Sequence, residues 1–154
     1  MVRLTRAGEY AIRGMVYLAQ QHATEGLTLI GEVARAEKVS SSFLAKIFQS
    51  LSRAGLVESQ RGAAGGVALG RPAHEISLRD IVEAVEGPVA LNRCLVLDDP
   101  CERAETCPVA PVWREAQKRL LAVLESATLD KFDGRWRPPA LRRNVAPADA
   151  KTPH

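Results

Sequence analysis

No stretch of this chain approaches the ~20 consecutive apolar residues that a bilayer-spanning helix needs. The first residues, Met1-Val-Arg-Leu-Thr-Arg6, hold no apolar signal region either. Both absences lead us to expect a cytoplasmic protein with no membrane partner. Aromatic residues are scarce, at 5% of the sequence, so the core has to be built from aliphatic side chains. Neither a glycine-rich dinucleotide fingerprint nor a phosphate loop is present, which removes common nucleotide-dependent enzymes and leaves a non-enzyme as the expectation. Cysteine is limited to three residues, Cys94, Cys101 and Cys107. An odd count confined to one short stretch argues against a disulfide framework and directs attention to metal or redox chemistry.

What is present is an ordinary globular composition. The 154 residues are 46% hydrophobic and 25% charged, enough for one domain with an appendage. The net charge of +3 is unevenly placed: nine Lys/Arg stand against six Asp/Glu in residues 1–75, and twelve against twelve in 76–154. The basic excess therefore lies in the first half, which suits a polyanionic partner there.

Apolar spacing at three and four residues predicts a helix over 5–22, with Thr5 as its N-cap and Ala11, Met15 and Leu18 on its inner face. Gly26 is the stop signal. A short helix follows, capped by Thr28, with Ile30, Val33 and Ala34 inward. Val39-Ser40-Ser41-Ser42 forms a turn whose serines can cap the next helix, about 42–54. That helix puts Phe43, Leu44, Ile47, Phe48 and Leu51 on one face and Ala45, Lys46, Gln49 and Arg53 on the other. Gly55 suits a left-handed position after the helix, with Leu56 as the apolar contact behind it. Two helices joined by a tight serine turn, the second with small, polar and basic residues outward, form the helix-turn-helix pattern.

The period then changes to two. Val57–Arg61 and Val67–Arg71 flank Gly62–Gly66, predicting a hairpin with a glycine-rich tip, in the position of a wing. Ser77–Asp80 is a capping-box variant with Ile76 and Ile81 placed as a hydrophobic staple, opening a helix that runs to Gly87-Pro88. From Ala90 to Cys107 no period is visible, and Asp98, Asp99, Glu102 and Glu105 crowd the cysteines. Pro108 and Pro111 open a long helix to about Leu129, whose narrow stripe of Trp113, Ala116, Leu120, Val123 and Ala127 has the form of a dimer seam. The Pro- and Arg-rich end lacks the apolar content to pack. The predicted fold is mainly α with a small β-hairpin. Residues 1–87 form a winged helix-turn-helix DNA-binding domain, 88–108 a cysteine loop, 109–132 a dimerisation helix and 133–154 a disordered tail.

Four features stand in one order: Arg3-Leu4-Thr5 with Tyr10-Ala11, Arg61-Gly62 through Gly65-Gly66, Arg71-Pro72 with Ile76, and Cys94…Cys101…Cys107 before a long helix. Over roughly residues 1–130 the chain closely resembles the Rrf-two family of bacterial regulators, which includes an iron–sulfur cluster regulator and a nitric-oxide-sensing repressor. The resemblance implies a homodimeric repressor of the winged helix type that binds a double-stranded DNA operator. It also implies an iron–sulfur cluster, [4Fe–4S] or [2Fe–2S], held by the three cysteines. In members that bind [2Fe–2S] through three cysteines and a histidine, the histidine follows the third cysteine by three residues. Here that position is Ala110.

Each candidate residue carries two readings. Ser40, Ser41, Ser42, Lys46 and Gln49 face a DNA groove if the helix is a recognition helix, and solvent otherwise. Arg61 suits a narrow minor groove, and Gly65 and Gly66 let backbone approach a phosphate, although the glycines also suit a tight hairpin. Arg53 either snorkels or pairs with a surface acid, and His22 and His74 read as surface residues. The cysteine spacings, six and five residues between neighbours, match neither paired zinc ligands nor ferredoxin runs. A zinc site, a bare thiol sensor and a redox electron carrier stand as alternatives to the cluster. Glu9 either complements the dipole of the first helix or, as the resemblance implies, serves as fourth ligand to the cluster of the other protomer.

Overall fold

A computed structural model describes residues 3–21, 26–63, 65–96 and 101–139. His22, Asp98, Asp99 and the chain from 140 onward lie outside the described residues. The elements run α1 (Arg6–Gln21), α2 (Ile30–Ala36), α3 (Ser41–Arg53), β1 (Val57–Gln60), β2 (Gly66–Leu69), α4 (Leu78–Glu86) and α5 (Ala110–Ser126), with single 3-10 turns at 73–75, 93–95 and 129–131.

Helix α1 starts at its predicted cap, because the Thr5 hydroxyl accepts the Gly8 N–H at 3.2 Å. Its inner row, Ala11, Met15 and Leu18, is buried against α3 and α4. Close approach to α3 depends on Gly14: a Cβ there would stand 2.9 Å from the Phe48 ring. The start of α2 differs from expectation. Leu29, not Thr28, holds the cap position, and its N–H is met by the Glu32 carboxylate at 3.2 Å. Thr28 instead exchanges both backbone hydrogen bonds with Val67, at 2.9 and 2.8 Å. It thereby adds a one-residue third rung to the β1–β2 hairpin. A partner 39 positions away satisfies a backbone that a local cap would have left half-paired.

The α2–α3 corner and both ends of α3 form as the residue types dictate. The Ser40 hydroxyl accepts the Phe43 N–H at 3.2 Å. At the far end Gly55 takes φ +74°, its N–H reaches Ser52 O, and the Leu56 N–H reaches Leu51 O, each at 3.0 Å. This pair of bonds is the Schellman motif, and buried Leu56 supplies its apolar contact. The antiparallel hairpin pairs Val57 with Leu69 and Ser59 with Val67, so Val57, Val67 and Leu69 close one side of the core.

Helix α4 carries the predicted capping box: Ser77 N–H donates to Asp80 at 2.8 Å and Asp80 N–H to Ser77 at 3.2 Å. Ile76 and Ile81 are both fully buried. The end of α5 is the main departure. The helix stops at Ser126, and the chain then turns back to pair with the residues before α4. Leu78 N–H donates to Ala127 O and Leu129 N–H to Ile76 O, each at 2.9 Å. Leu129 is 3% exposed and joins the same core, with Phe132 against it. Residues 127–132 thus belong to the winged domain rather than to a projecting helix. Order also continues past Asp133: Trp136 donates to Ser126 Oγ at 3.4 Å, and Arg135 pairs with Asp133 at 2.7 Å. That pairing holds the Asp133 carboxyl below its ordinary range.

Candidate nucleic-acid interface and thiol loop

The face of α3 turned away from the core is set by arithmetic. Leu44, Ile47, Phe48 and Leu51 are buried, which leaves Ser42, Lys46, Gln49 and Arg53, spaced by four, three and four residues, as one exposed row. Ser40 and Ser41 are exposed at the helix start and Ala45 is half-buried beside the row. Between α3 and the hairpin lies an open cleft of about 590 Å³, bordered by Ala45, Gln49, Arg53, Ser59 and Arg61. The structure therefore brings Gln49 and Arg61 to one cleft, with Lys46 exposed on the same α3 row as Gln49. Arg53 joins them there. Its guanidinium donates to Ser50 Oγ at 3.2 Å and it forms no ion pair with a described acid. Its four-residue step from Gln49 was the signal that placed it.

The two wing glycines have a reason of their own. A Cβ at Gly65 would meet Gln60 O at 2.4 Å, and one at Gly66 would meet Thr28 O at 2.7 Å. Gly65 is buried and Gly66 half-buried, so both let the hairpin close on itself and on the Thr28 rung. Arg61 is exposed beside them.

The three cysteines are free and half-buried. Cys94 sits in the 3-10 turn that Asn92 caps through the Arg93 N–H at 2.8 Å. Cys101 and Cys107 bracket a double turn, in which Ala104 N–H donates to Cys101 O at 2.9 Å and Cys107 N–H to Arg103 O at 2.8 Å. The Cys107 carbonyl then accepts the Ala110 N–H at the start of α5. Both limbs of the loop are tied to helices: Val89 N–H to Glu83 at 3.3 Å, Leu91 N–H to Gln117 at 2.9 Å, and Arg114 to Ala104 O at 3.2 Å. Beneath it Arg79 joins α4 to α5, bonding Glu125 and, at 3.2 Å, Glu83. Its hydrogen bond to Glu125 is the main cause that raises the guanidinium pKa above its ordinary value. Three thiols in one loop are a soft donor set that suits iron or zinc. Among the described residues, however, no three His, Cys, Asp or Glu side chains are gathered closely enough to hold a metal ion.

Glu9 is exposed in the first turn of α1. Arg13, four residues on, lies over the Tyr10 ring at 5.4 Å instead of pairing with it. Helix α5 contributes one buried residue, Ala110, while Val112 and Trp113 on it and Val109 just before it are exposed in the single chain. Among the described residues no helix is long and apolar enough to cross a membrane.

Comparison with known proteins matches residues 4–132 to the family model Rrf2, described as an iron-dependent transcriptional regulator. The protein aau3 of Rhizobium meliloti is 42% identical over 130 residues, spanning 84% of this chain and 83% of that protein. The HTH-type transcriptional regulator IscR of Pectobacterium carotovorum is 33% identical over 131 residues, 85% of this chain and 79% of its own. Among solved structures, CymR, the global cysteine regulator of B. subtilis, superposes with a TM-score of 0.66 at 32% identity, covering 86% of this chain and 96% of CymR. IscR of T. potens gives 0.67 at 28% identity, covering 85% of each chain.

Proposed function

Since the chain belongs to the Rrf2 family of iron-dependent transcriptional regulators, and is on that ground a DNA-binding transcriptional regulator, we propose that it is a homodimeric repressor whose 88–108 loop senses iron–sulfur cluster, redox or nitric oxide status. The observation that carries the DNA side of this reading is the exposed row Ser42, Lys46, Gln49 and Arg53, of which Gln49 and Arg53 line the same cleft as Arg61. Ser40, Ser41 and Ser42 enter the major groove first, Gln49 meets a base edge, Lys46 meets phosphate and Arg61 reaches the minor groove. Gly65 and Gly66 act by shaping the wing that carries Arg61. In the dimer, α5 meets its counterpart through the stripe containing Leu120 and Val123. Two half-sites then lie about one duplex turn apart, ~34–36 Å.

On the sensing side, Cys94, Cys101 and Cys107 would hold the cluster, with Glu9 of the other protomer as fourth ligand. Bound there, the cluster supplies a centre whose presence changes with iron, oxygen or nitric oxide. The donor types fit it, and the loop that carries them is fastened to α4 and α5, so gathering the thiols pulls on both helices. A carboxylate is a harder ligand than a thiolate for iron, which suits a labile site. The ungathered thiols of the single chain equally support a second reading, a cluster-free regulator whose thiols react directly or take zinc. Anaerobic purification with iron and sulfide analysis decides between them: near-stoichiometric iron and acid-labile sulfide are expected. Iron-free, colourless protein that still binds DNA would overturn the cluster and leave the thiol sensor.

A further inference from the structure

Helix α1 carries two arginines that its own acid does not neutralise. Glu9 stands three residues after Arg6 and four before Arg13, spacings at which helix ion pairs form readily. Neither pair is made. Both guanidinium groups lie instead over the ring of Tyr10, at 5.8 Å for Arg6 and 5.4 Å for Arg13, within the range of a cation–π contact. Both arginines are exposed, Tyr10 is half-buried, and neither arginine pairs with any described acid. The Tyr10 ring is itself held edge-on to Phe43, with centroids 6.0 Å apart and planes at 89°. Phe43 lies in the first turn of α3, next to exposed Ser41 and Ser42.

This stacking has a directional consequence. The two cations are fixed relative to the N-terminal end of α3, the part of a recognition helix that enters the major groove. Their Cα atoms are seven residues apart, about 10 Å along the α1 axis. A groove wide enough for α3 is rimmed by phosphates, and arginine binds phosphate in a planar, bidentate manner. We propose that Arg6 and Arg13, held on Tyr10, form a phosphate-binding clamp that grips the duplex backbone beside the major groove, independent of base sequence. The proposal rests on the DNA-binding reading and adds α1 to the α3 and wing surfaces.

The clamp is tested without knowledge of the operator, by fluorescence anisotropy of full-length protein on a random-sequence duplex across a salt series. Each phosphate contact contributes about 0.9 to the slope of log K against log salt. Replacing both arginines (R6A/R13A) should lower the slope by close to two units and weaken binding roughly fiftyfold at about 0.1 M salt. The R6Q/R13Q pair keeps the stems and hydrogen-bonding capacity, folds even if the alanine pair does not, and should lose nearly as much. Arg6→Lys with Arg13→Lys should recover most of the slope. K46A serves as the reference, costing one unit. If wild-type protein and K46A behave as stated but the glutamine pair retains the full slope, the clamp is wrong and the α3 interface stands. Wild-type protein that retains no duplex at any salt would sink the DNA-binding reading itself.

Discussion

Gly8 and Glu86 form a testable pair across 78 positions of sequence. The Glu86 carboxylate accepts the Thr5 N–H at 2.7 Å and the Thr5 hydroxyl at 2.8 Å, serving the start of α1 from the end of α4. A Cβ at Gly8 would stand 2.2 Å from the same Oε1 and 3.0 Å from the carboxyl carbon, so Gly8→Ala has to expel it. Two terms then compete. Alanine is favoured over glycine inside a helix by about 1 kcal/mol, while loss of a capping acceptor costs about 1 kcal/mol, within 0.5–2. Glu86 is exposed, so water replaces part of what the carboxylate supplied. Gly8→Ala should therefore be near neutral in the wild-type background. Glu86→Ala should cost about 1 kcal/mol, and adding Gly8→Ala to it should recover about the same. Urea unfolding of the four proteins at one fixed protomer concentration, which keeps assembly constant, closes the cycle. A coupling of about 1 kcal/mol is expected with unchanged m-values, and each kcal/mol should move Tm by about 2–4 °C. Equal stabilisation by Gly8→Ala in both backgrounds would refute the reasoning.

Three further outcomes follow from the surfaces described. Lys46→Ala should weaken binding alike on all duplexes, whereas Gln49→Ala should cost about 1–3 kcal/mol on the operator alone; equal losses on operator and random DNA by competition binding would remove Gln49 from base reading. Leu120→Glu places a charge in the proposed α5 seam and should convert dimer to monomer by sedimentation; a dimer that persists would move the interface elsewhere. Glu9→Ala, purified without oxygen, should keep its fold and change or lose the cluster spectrum together with the DNA response; an unchanged spectrum, stability and response would return the search to the acidic loop or to solvent.

Features that were legible in the sequence are those whose cause is local. The Ser77–Asp80 box, the Gly55–Leu56 helix end and the α3 row each depend on residues within a few positions of one another, so spacing alone reports them. The presence of the hairpin was legible for the same reason, whereas its register, Val57 opposite Leu69, was not. What escaped has partners far along the chain. Thr28 looked like a helix cap because its real partner, Val67, lies on the far side of α3. Gly8 carried no turn signal, since its lack of a side chain serves a carboxylate on α4. Residues 127–132 continued the apolar spacing of α5, and only their hydrogen bonds to Ile76 and Leu78 show that they leave it. At the site, the thiols were recognisable by type and order, but among the described residues they are not gathered into one group.

The return of the chain to Ile76–Leu78 bears on how the protein is made. A nascent chain emerges N-terminal end first, so α1 to α4 are available well before Ala127 and Leu129 are. Until then Ile76 offers an unpaired carbonyl and the core lacks the Leu129 side chain that seals it. The 88–108 loop is synthesised inside that interval. Any chain that ends prematurely within the loop, or is cut there by a protease and loses its distal piece, also loses the last component of the winged domain. A fragment that ends before Ala127 is accordingly an incompletely closed one, open to degradation. If the loop senses as proposed, the cell is thereby spared a regulator that binds DNA without responding.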